Sequence, residues 1–189
     1  MAVQRSVDKW KMKKWLSIYA PQVFNGVEIG EMPANDEKSA IGRNITVSMD
    51  ALTHNPSHAY SNVVLKVVDV NGGAAHTRLV LIEELYSYIR SLIRRYRSVA
   101  DSVLQATTSD NVSVVLKMFA VTKSRTAHTK LIGIRKEMNE MAASFAGEHT
   151  ANEVIAAVID GKLQASMQAR LHHITQINKV EIRKLEIAG

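Results

Sequence analysis

Apolar positions along this chain follow two different spacings, and the change comes near Val121. Before it they form short β-branched runs bounded by turn residues, which predicts strands over 15–20, 41–49, 60–70, 74–82, 98–107 and 112–121. The run from Val63 to Val70, the tetrapeptide Asn71-Gly72-Gly73-Ala74 and a second run ending Leu79-Val80-Leu81-Ile82 predict a hairpin, because Asn and Gly accept positive φ. Val99 to Thr107, then Thr108-Ser109-Asp110-Asn111, then Val112 to Val121 repeat the arrangement with a longer loop. Tight hairpins pair antiparallel, which argues against a doubly wound parallel sheet. Both hairpins carry apolar residues at odd and even positions alike, such as Val63, Leu65 and Val67 against Val64, Val68 and Val70, so their strands are expected to be covered on both faces. An antiparallel β-barrel, closed or nearly so, with helices against part of its outer wall would meet that demand and leave few free edges.

The last third has helical spacing. Leu131, Ile134, Met138, Met141 and Phe145 share one narrow face of a helix predicted from about Thr129 to Ala146, and Met and Phe at this spacing are core residues. Thr150-Ala151-Asn152-Glu153 is a capping-box signature ahead of Val154, Ile155, Val158 and Ile159, with Gly161 in the place of a C-terminal cap. A further short helix from Lys162 to about Ile174 folds back on it, and Val180 to Ile187 alternates as a closing strand would. The expected fold is α+β: a basic N-terminal arm at 1–14, a β-barrel core at 15–128 with one inserted helix, and a helical part with a closing strand at 129–189.

The inserted helix carries an unusual charge pattern. Residues 88–97 hold Arg90, Arg94, Arg95 and Arg97 without one acid. If residues 85–97 are helical, Leu85, Ile89, Leu92, Ile93 and Tyr96 share a buried stripe while Arg90, Arg94 and Arg97 line another face, with Arg95 on a far flank. Guanidinium groups are planar, permanently charged donors that match phosphate geometry, so such a face fits a nucleic-acid backbone better than a small ligand.

Composition narrows the partner. The 189 residues make one domain, or one with a small appendage, and 46% hydrophobic against 22% charged residues is an ordinary globular balance. The absence of cysteine excludes a disulfide framework, thiolate zinc sites and cysteine nucleophiles. Met1 to Asp8 lacks the apolar core of a signal peptide and no later run is long enough to cross a bilayer, so a cytoplasmic protein with no membrane partner is expected. A net charge of +6 and a pI near 9.6 point to an acidic partner.

Catalytic and metal-ligating patterns fail one by one. Gly26-Val27-Glu28-Ile29-Gly30 lacks the spacing and the lysine of a phosphate-binding loop, and no nucleophile-elbow pattern occurs. Pro56 separates His54 from His58 in a stretch that is not helical, and the adjacent His172 and His173 would diverge on a helix, so neither pair reads as a metal site. Glu83 and Glu84 precede the arginine helix, where its dipole accounts for them without acid–base catalysis. No cofactor, metal, catalytic residue or small-molecule substrate is expected.

Basic segments, by contrast, recur. The arm holds Arg5, Lys9, Lys11, Lys13 and Lys14 against the single acid Asp8, with Trp10 and Trp15 as rings that would need burial. Residues 123–136 carry Lys123, Arg125, Lys130, Arg135 and Lys136 with no acid, at a strand exit and the start of a helix. Positive charge there opposes the helix dipole by about a few tenths of a kcal/mol per charge, which an external polyanion would relieve. Lys179, Arg183 and Lys184 add a weaker patch. Phosphate contacts position a partner but read little sequence, so binding to a shape or a fixed assembly is implied.

The order and spacing of these motifs resemble one family across nearly the whole chain: the small-subunit ribosomal protein family of archaea and eukaryotes known as S-three-A-e, or e-S-one. The resemblance rests on Asp8-Lys9-Trp10-Lys11-Met12-Lys13-Lys14-Trp15 with Tyr19-Ala20-Pro21 and Phe24, on Ile29-Gly30-Glu31 with Ile41-Gly42-Arg43, and on Tyr88 to Arg95. Thr122-Lys123-Ser124-Arg125, Ile134-Arg135-Lys136-Glu137-Met138 and Val180-Glu181-Ile182-Arg183-Lys184 continue it. It implies a barrel core with flanking helices, a place on the platform of the small subunit near the messenger exit, and a structural role in translation, bound to ribosomal RNA and neighbouring ribosomal proteins. Carried over by position, the RNA contacts are Lys9, Lys11, Lys13, Lys14, Arg90, Arg94, Arg95, Lys123, Arg125, Arg135, Lys136, Arg183 and Lys184, to which the helical geometry adds Arg97. The length is archaeal-like. The competing expectation is a free-standing barrel that binds a small anionic ligand or another nucleic acid, or performs metal-independent catalysis, which would need polar groups converging in one pocket.

Overall fold

A computed structural model describes Trp10 and residues 13–188 of the chain. Among these residues eight strands and six α-helices alternate irregularly. The first part runs β1 (Lys14–Tyr19), β2 (Glu28–Ala34), α1 (Glu37–Ala40), β3 (Asn44–Ser48), α2 (Met49–Thr53), β4 (Ser61–Asn71) and β5 (Ala74–Glu84). After it come α3 (Tyr86–Leu92), β6 (Val99–Thr107), β7 (Ser113–Thr122), α4 (His128–Glu148), α5 (Ala151–Ile159), α6 (Lys162–Leu171) and β8 (Ile177–Ala188).

Both expected hairpins are present. Gly72 and Gly73 take φ of 60° and 92° between β4 and β5, the positive pair that a two-residue turn requires. Asn111 does the same at φ 59° in the longer β6–β7 loop. The capping box also forms: Thr150 Oγ1 accepts the Glu153 N–H, and the Glu153 carboxylate accepts the Thr150 N–H at 2.9 Å. Gly161, at φ 74°, turns the chain from α5 into α6.

The sheet does not close into the expected barrel. β5 is a fork: one edge pairs with β4, which pairs with β3, and the other edge is shared. Near its start that shared edge takes β1 in parallel, Ser17–Tyr19 against Ala74–His76, and near its end it takes β8 antiparallel. From β1 the sheet continues to β2, and from β8 to β7 and β6. Three arms leave three outer strands, β2, β3 and β6, and none of these pairs with another among the described residues. Helices α4 to α6 cover the face where a returning wall would lie, and α4 is tied to β6 by Ser102 Oγ donating to Asn139 Oδ1 at 2.5 Å.

The main core lies between β4, β5, β7, β8 and these helices. Val63, Leu65, Leu116, Met118, Ala120, Ile134, Met138, Met167, Leu171, Ile177 and Leu185 are all essentially inaccessible in it. A smaller core joins β1, β2, α1, β4 and β5 through Leu16, Ile18, Met32, Ala40, Val67 and Ala75. Coverage on both faces, expected for both hairpins, holds only for β7, whose Met118, Phe119, Ala120, Val121 and Thr122 are all buried. On β4 the even face is half-buried at Val64 and open at Val68, which sits in a bulge. β2 escaped notice because Gly30 and Pro33 punctuate it, and an outer strand tolerates a proline.

Phe119 faces away from the main core and packs with Val121 against Ile89 of α3. Phe119→Ala should destabilise the protein by about 3–5 kcal/mol, while Val103→Ala on the open face of β6 should stay within about 0.5 kcal/mol. Chemical denaturation of both variants checks this, and equal midpoints would show that α3 is not held by its packing on β7.

Candidate nucleic-acid interface

The arginine segment is not one long helix. α3 spans Tyr86–Leu92, with Leu85 extended before it and Ile93 extended after it. Leu85 provides no side-chain cap, so tertiary contacts hold the helix. Tyr88 Oη donates to Glu181 Oε1 at 3.0 Å and accepts from Lys179 Nζ at 2.6 Å, Lys179 and Glu181 pair at 2.6 Å, and the Tyr60 ring stacks on Tyr88 at 5.0 Å. The next residue, Ile89, enters the Phe119 and Val121 cluster.

The predicted apolar stripe therefore breaks down after Leu92. Ile93 and Tyr96 are exposed rather than buried, and Arg94 and Arg97 are not in a helical row with Arg90. β6 has to begin at Val99 opposite Val121, and a helix running to Arg97 would leave no chain for that reversal. The reversal is a turn over Arg94–Arg97, closed by the Arg97 N–H on the Arg94 carbonyl at 3.3 Å, with Tyr96 at φ 63°.

This turn is locked to the loop that follows β7. The buried Thr122 donates its N–H to the Ser98 carbonyl at 3.0 Å, its Oγ1 accepts the Ser98 N–H at 3.0 Å and donates to the Ser124 carbonyl at 2.6 Å, and Ser98 Oγ accepts the Thr126 N–H at 3.1 Å. Two segments far apart in sequence become one surface, and the Arg125 guanidinium lies 5.7 Å from the centre of the Tyr96 ring. On α3 the Arg90 guanidinium lies 5.4 Å from the Tyr86 ring. Arg90, Arg94, Arg95, Lys123 and Arg125 are exposed and Arg97 half-buried, and among the described residues no carboxylate pairs with any of them.

The other expected contacts are placed less uniformly. α4 begins at His128 behind Ala127, with no side-chain cap and no acid in its first turn, so its end keeps the unfavourable charge pattern read from the sequence. Arg135 spends its Nε–H on the Asp101 carbonyl at 3.1 Å, and Lys136 pairs with Glu140 at 3.8 Å. Arg183 is exposed on β8, whereas Lys184 sits 3.8 Å from Glu83 and 3.4 Å from Glu186. Lys9 and Lys11, like most of the expected arm, lie outside the described residues. Lys14 already belongs to β1, and the Lys13 ammonium lies 3.6 Å from the Trp10 ring centre. Trp10 and Trp15 are 64% and 63% exposed, so the burial expected of them is not found.

Glu83 and Glu84 are the last residues of β5 and do not serve the α3 dipole as expected. Glu83 faces Lys184, and Glu84 accepts the Ser61 hydroxyl at 2.8 Å beside a cleft of about 240 Å³ that Tyr88, Gln164, Lys179 and Glu181 also line. Burial raises the Glu84 carboxyl from 4.5 to about 7; the Ser61 bond opposes this and nearby Glu181 adds to it. Burial also raises the Tyr88 phenol. Lys179 is held above its ordinary value, because its bonds to Glu181 and Tyr88 outweigh its burial.

Against this geometry, known proteins give a consistent match. The sequence model of the Ribosomal S3Ae family matches residues 1–189. The chain belongs to the Ribosomal S3Ae family. Relatives named small ribosomal subunit protein eS1 include one from Saccharolobus islandicus, 36% identical over 95% of this chain and 86% of the relative. Another from Sulfurisphaera tokodaii is 33% identical over 95% of this chain and 93% of the relative. A third, from Methanothrix thermoacetophila, is 33% identical over 97% and 87%. The Ribosomal S3Ae family is a structural, non-enzymatic component of the small ribosomal subunit. The exposed rings of Tyr86 and Tyr96 beside Arg90 and Arg125 were not read from the sequence. An aromatic fraction of 5% gave no cue, and helical spacing had put Tyr96 on the buried stripe.

Glu84 supplies a pH test. Its folded-state value lies above the unfolded one, so the folded protein holds the proton more tightly and stability is lost as pH rises from about 4.5 through about 7. The loss should be on the order of 1–2 kcal/mol, with water at the half-buried carboxyl screening the remainder. Glu84→Gln should flatten that part of the stability profile and be the more stable protein at pH 8. Parallel denaturation profiles for the two proteins between pH 5 and 8 would contradict it.

Proposed function

We propose that this protein binds ribosomal RNA of the small subunit through the surface built by α3, the Arg94–Arg97 turn and the Lys123–Arg125 loop. The observation that carries the reading is the Ser98–Thr122 lock, which assembles Arg90, Arg94, Arg95, Arg97, Lys123 and Arg125 from two segments without a carboxylate among them. A folded protein left alone would gain by interleaving acids here, and a phosphate backbone supplies the missing negative charge. Arg135, Lys136, Arg183, Lys13 and Lys14 are proposed as further contacts, as are Lys9 and Lys11, which lie outside the described residues. Lys184 is the weakest of the set, because Glu83 and Glu186 already face it.

Family membership supports a place on the platform of the small subunit near the messenger exit, beside other ribosomal proteins, in the cytoplasm. The small-anion reading has less support: in the cleft Glu84 and Glu181 outnumber Lys179, which Glu181 already pairs, while the unpaired basic groups spread over the outer surface. A small anion would meet the opposite arrangement.

In a magnesium-containing gradient the protein should migrate with small subunits. A protein that stays at the top while the subunits sediment would refute the placement. Replacing Arg90, Arg94 and Arg97 together by Gln should weaken RNA binding and flatten the log–log salt dependence by about 0.7–0.9 for each phosphate that the variant no longer neutralises. An unchanged slope would mean that this surface does not meet phosphate.

A further inference from the structure

We infer that Tyr96 is a nucleobase-stacking residue, and that the surface around it takes RNA with an unpaired base rather than a continuous duplex. The inference rests on the RNA-binding reading above and adds a specificity to it.

The backbone makes the first observation. Among the described residues four besides glycine have positive φ: Asn25, His54, Asn111 and Tyr96. Asn and His are residue types enriched in this region, whereas a bulky aromatic there is an outlier. The reversal before β6 would be made with less strain by Asn or Gly, so turn geometry does not account for a tyrosine. Residues held in such conformations are characteristic of binding sites, where the surrounding structure fixes them. Here the fixing comes from the Arg97 N–H on the Arg94 carbonyl and from the Ser98–Thr122 lock immediately after that turn.

The ring itself makes the second. Tyr96 is 74% exposed, so its apolar surface contributes nothing to either core. One face has the Arg125 guanidinium 5.7 Å from its centre, and the exposure leaves the other open. The comparable pair of Tyr86 and Arg90 is the ordinary i, i+4 neighbourhood of a helix. Tyr96 and Arg125 are brought together only by the tertiary lock. A ring backed by a guanidinium and flanked by Arg94, Arg95 and Arg97 in sequence has the chemistry of a stacking platform: the arginines hold the neighbouring phosphates and the open face takes a splayed base. A duplex keeps its bases stacked inside and offers such a ring nothing but backbone.

Two RNA hairpins separate the possibilities, one carrying a single bulged 2-aminopurine and the other fully paired. The full-length protein should bind the bulged hairpin more tightly and quench its fluorescence. Tyr96→Asn removes the ring but keeps a residue suited to positive φ, so the turn is preserved. It should bind the bulged hairpin about 5- to 150-fold more weakly, bind the paired one unchanged, lose the quenching and keep the salt slope. Tyr96→Phe should behave as the original. Equal losses on both hairpins, or no loss on either, would overturn the stacking role while leaving the RNA reading intact if the salt slope remains steep. A flat slope for the unaltered protein would instead remove the RNA reading.

Discussion

Everything else in this molecule hangs on one strand that is buried on both sides. β7 turns Met118 and Ala120 into the helical core and Phe119 and Val121 toward α3, and all four are out of reach of water. On one side this holds the sheet to α4, α5 and α6; on the other it gives α3 an apolar seat despite its short length. Seven residues without a capping side chain would not stay helical in water, so the arginine-bearing element exists because β7 and the Tyr88–Glu181–Lys179 network accept it. The end of the same strand supplies Thr122, whose bonds to Ser98 set the position of both basic loops.

That arrangement separates two kinds of charge. Around Tyr88 the side chains of Glu181 and Lys179 bond to it and to each other, and burial raises the Glu84 carboxyl well above the ordinary carboxyl range. Outside, Arg90, Arg94, Arg95, Arg97, Arg125 and Lys123 have no ion pair with a carboxylate among the described residues and stay available to an external anion. Inward charges hold the scaffold and outward ones present it, which suits a structural member of a ribonucleoprotein better than an enzyme whose polar groups would converge in a cleft.

Much of the fold was legible beforehand, for identifiable reasons. The two hairpins, the helices of the last third and the Thr150–Glu153 cap follow from local rules: positive φ at Gly72 and Gly73, 3.6-residue spacing at Ile134 and Met138, and a reciprocal pair of hydrogen bonds. That the sheet stays open, against the expected barrel, was not, because closure depends on which strands share an edge. β1 and β8 divide one edge of β5 between them, and no local pattern announces a parallel pairing between residues 17–19 and 74–76. The arginine helix was misread for a similar reason. Ile93 and Tyr96 fit a helical stripe by spacing, but the register of Val99 opposite Val121 ends the helix first.

The sequence by itself determined the family, because the order and spacing of short motifs carry it, and its net positive charge pointed toward an acidic partner. Only the tertiary structure decided which cations act together and what stands among them. Arg97 and Arg125 are separated by a complete hairpin in the sequence, and the side-chain and backbone bonds of Thr122 to Ser98 make them neighbours. Hydrogen bonds between distant segments also put the Tyr96 ring in water rather than in the core. The physical reason is that periodicity reports which face a residue would take if its element continued, whereas the end of an element is set by contacts that are long-range in the chain.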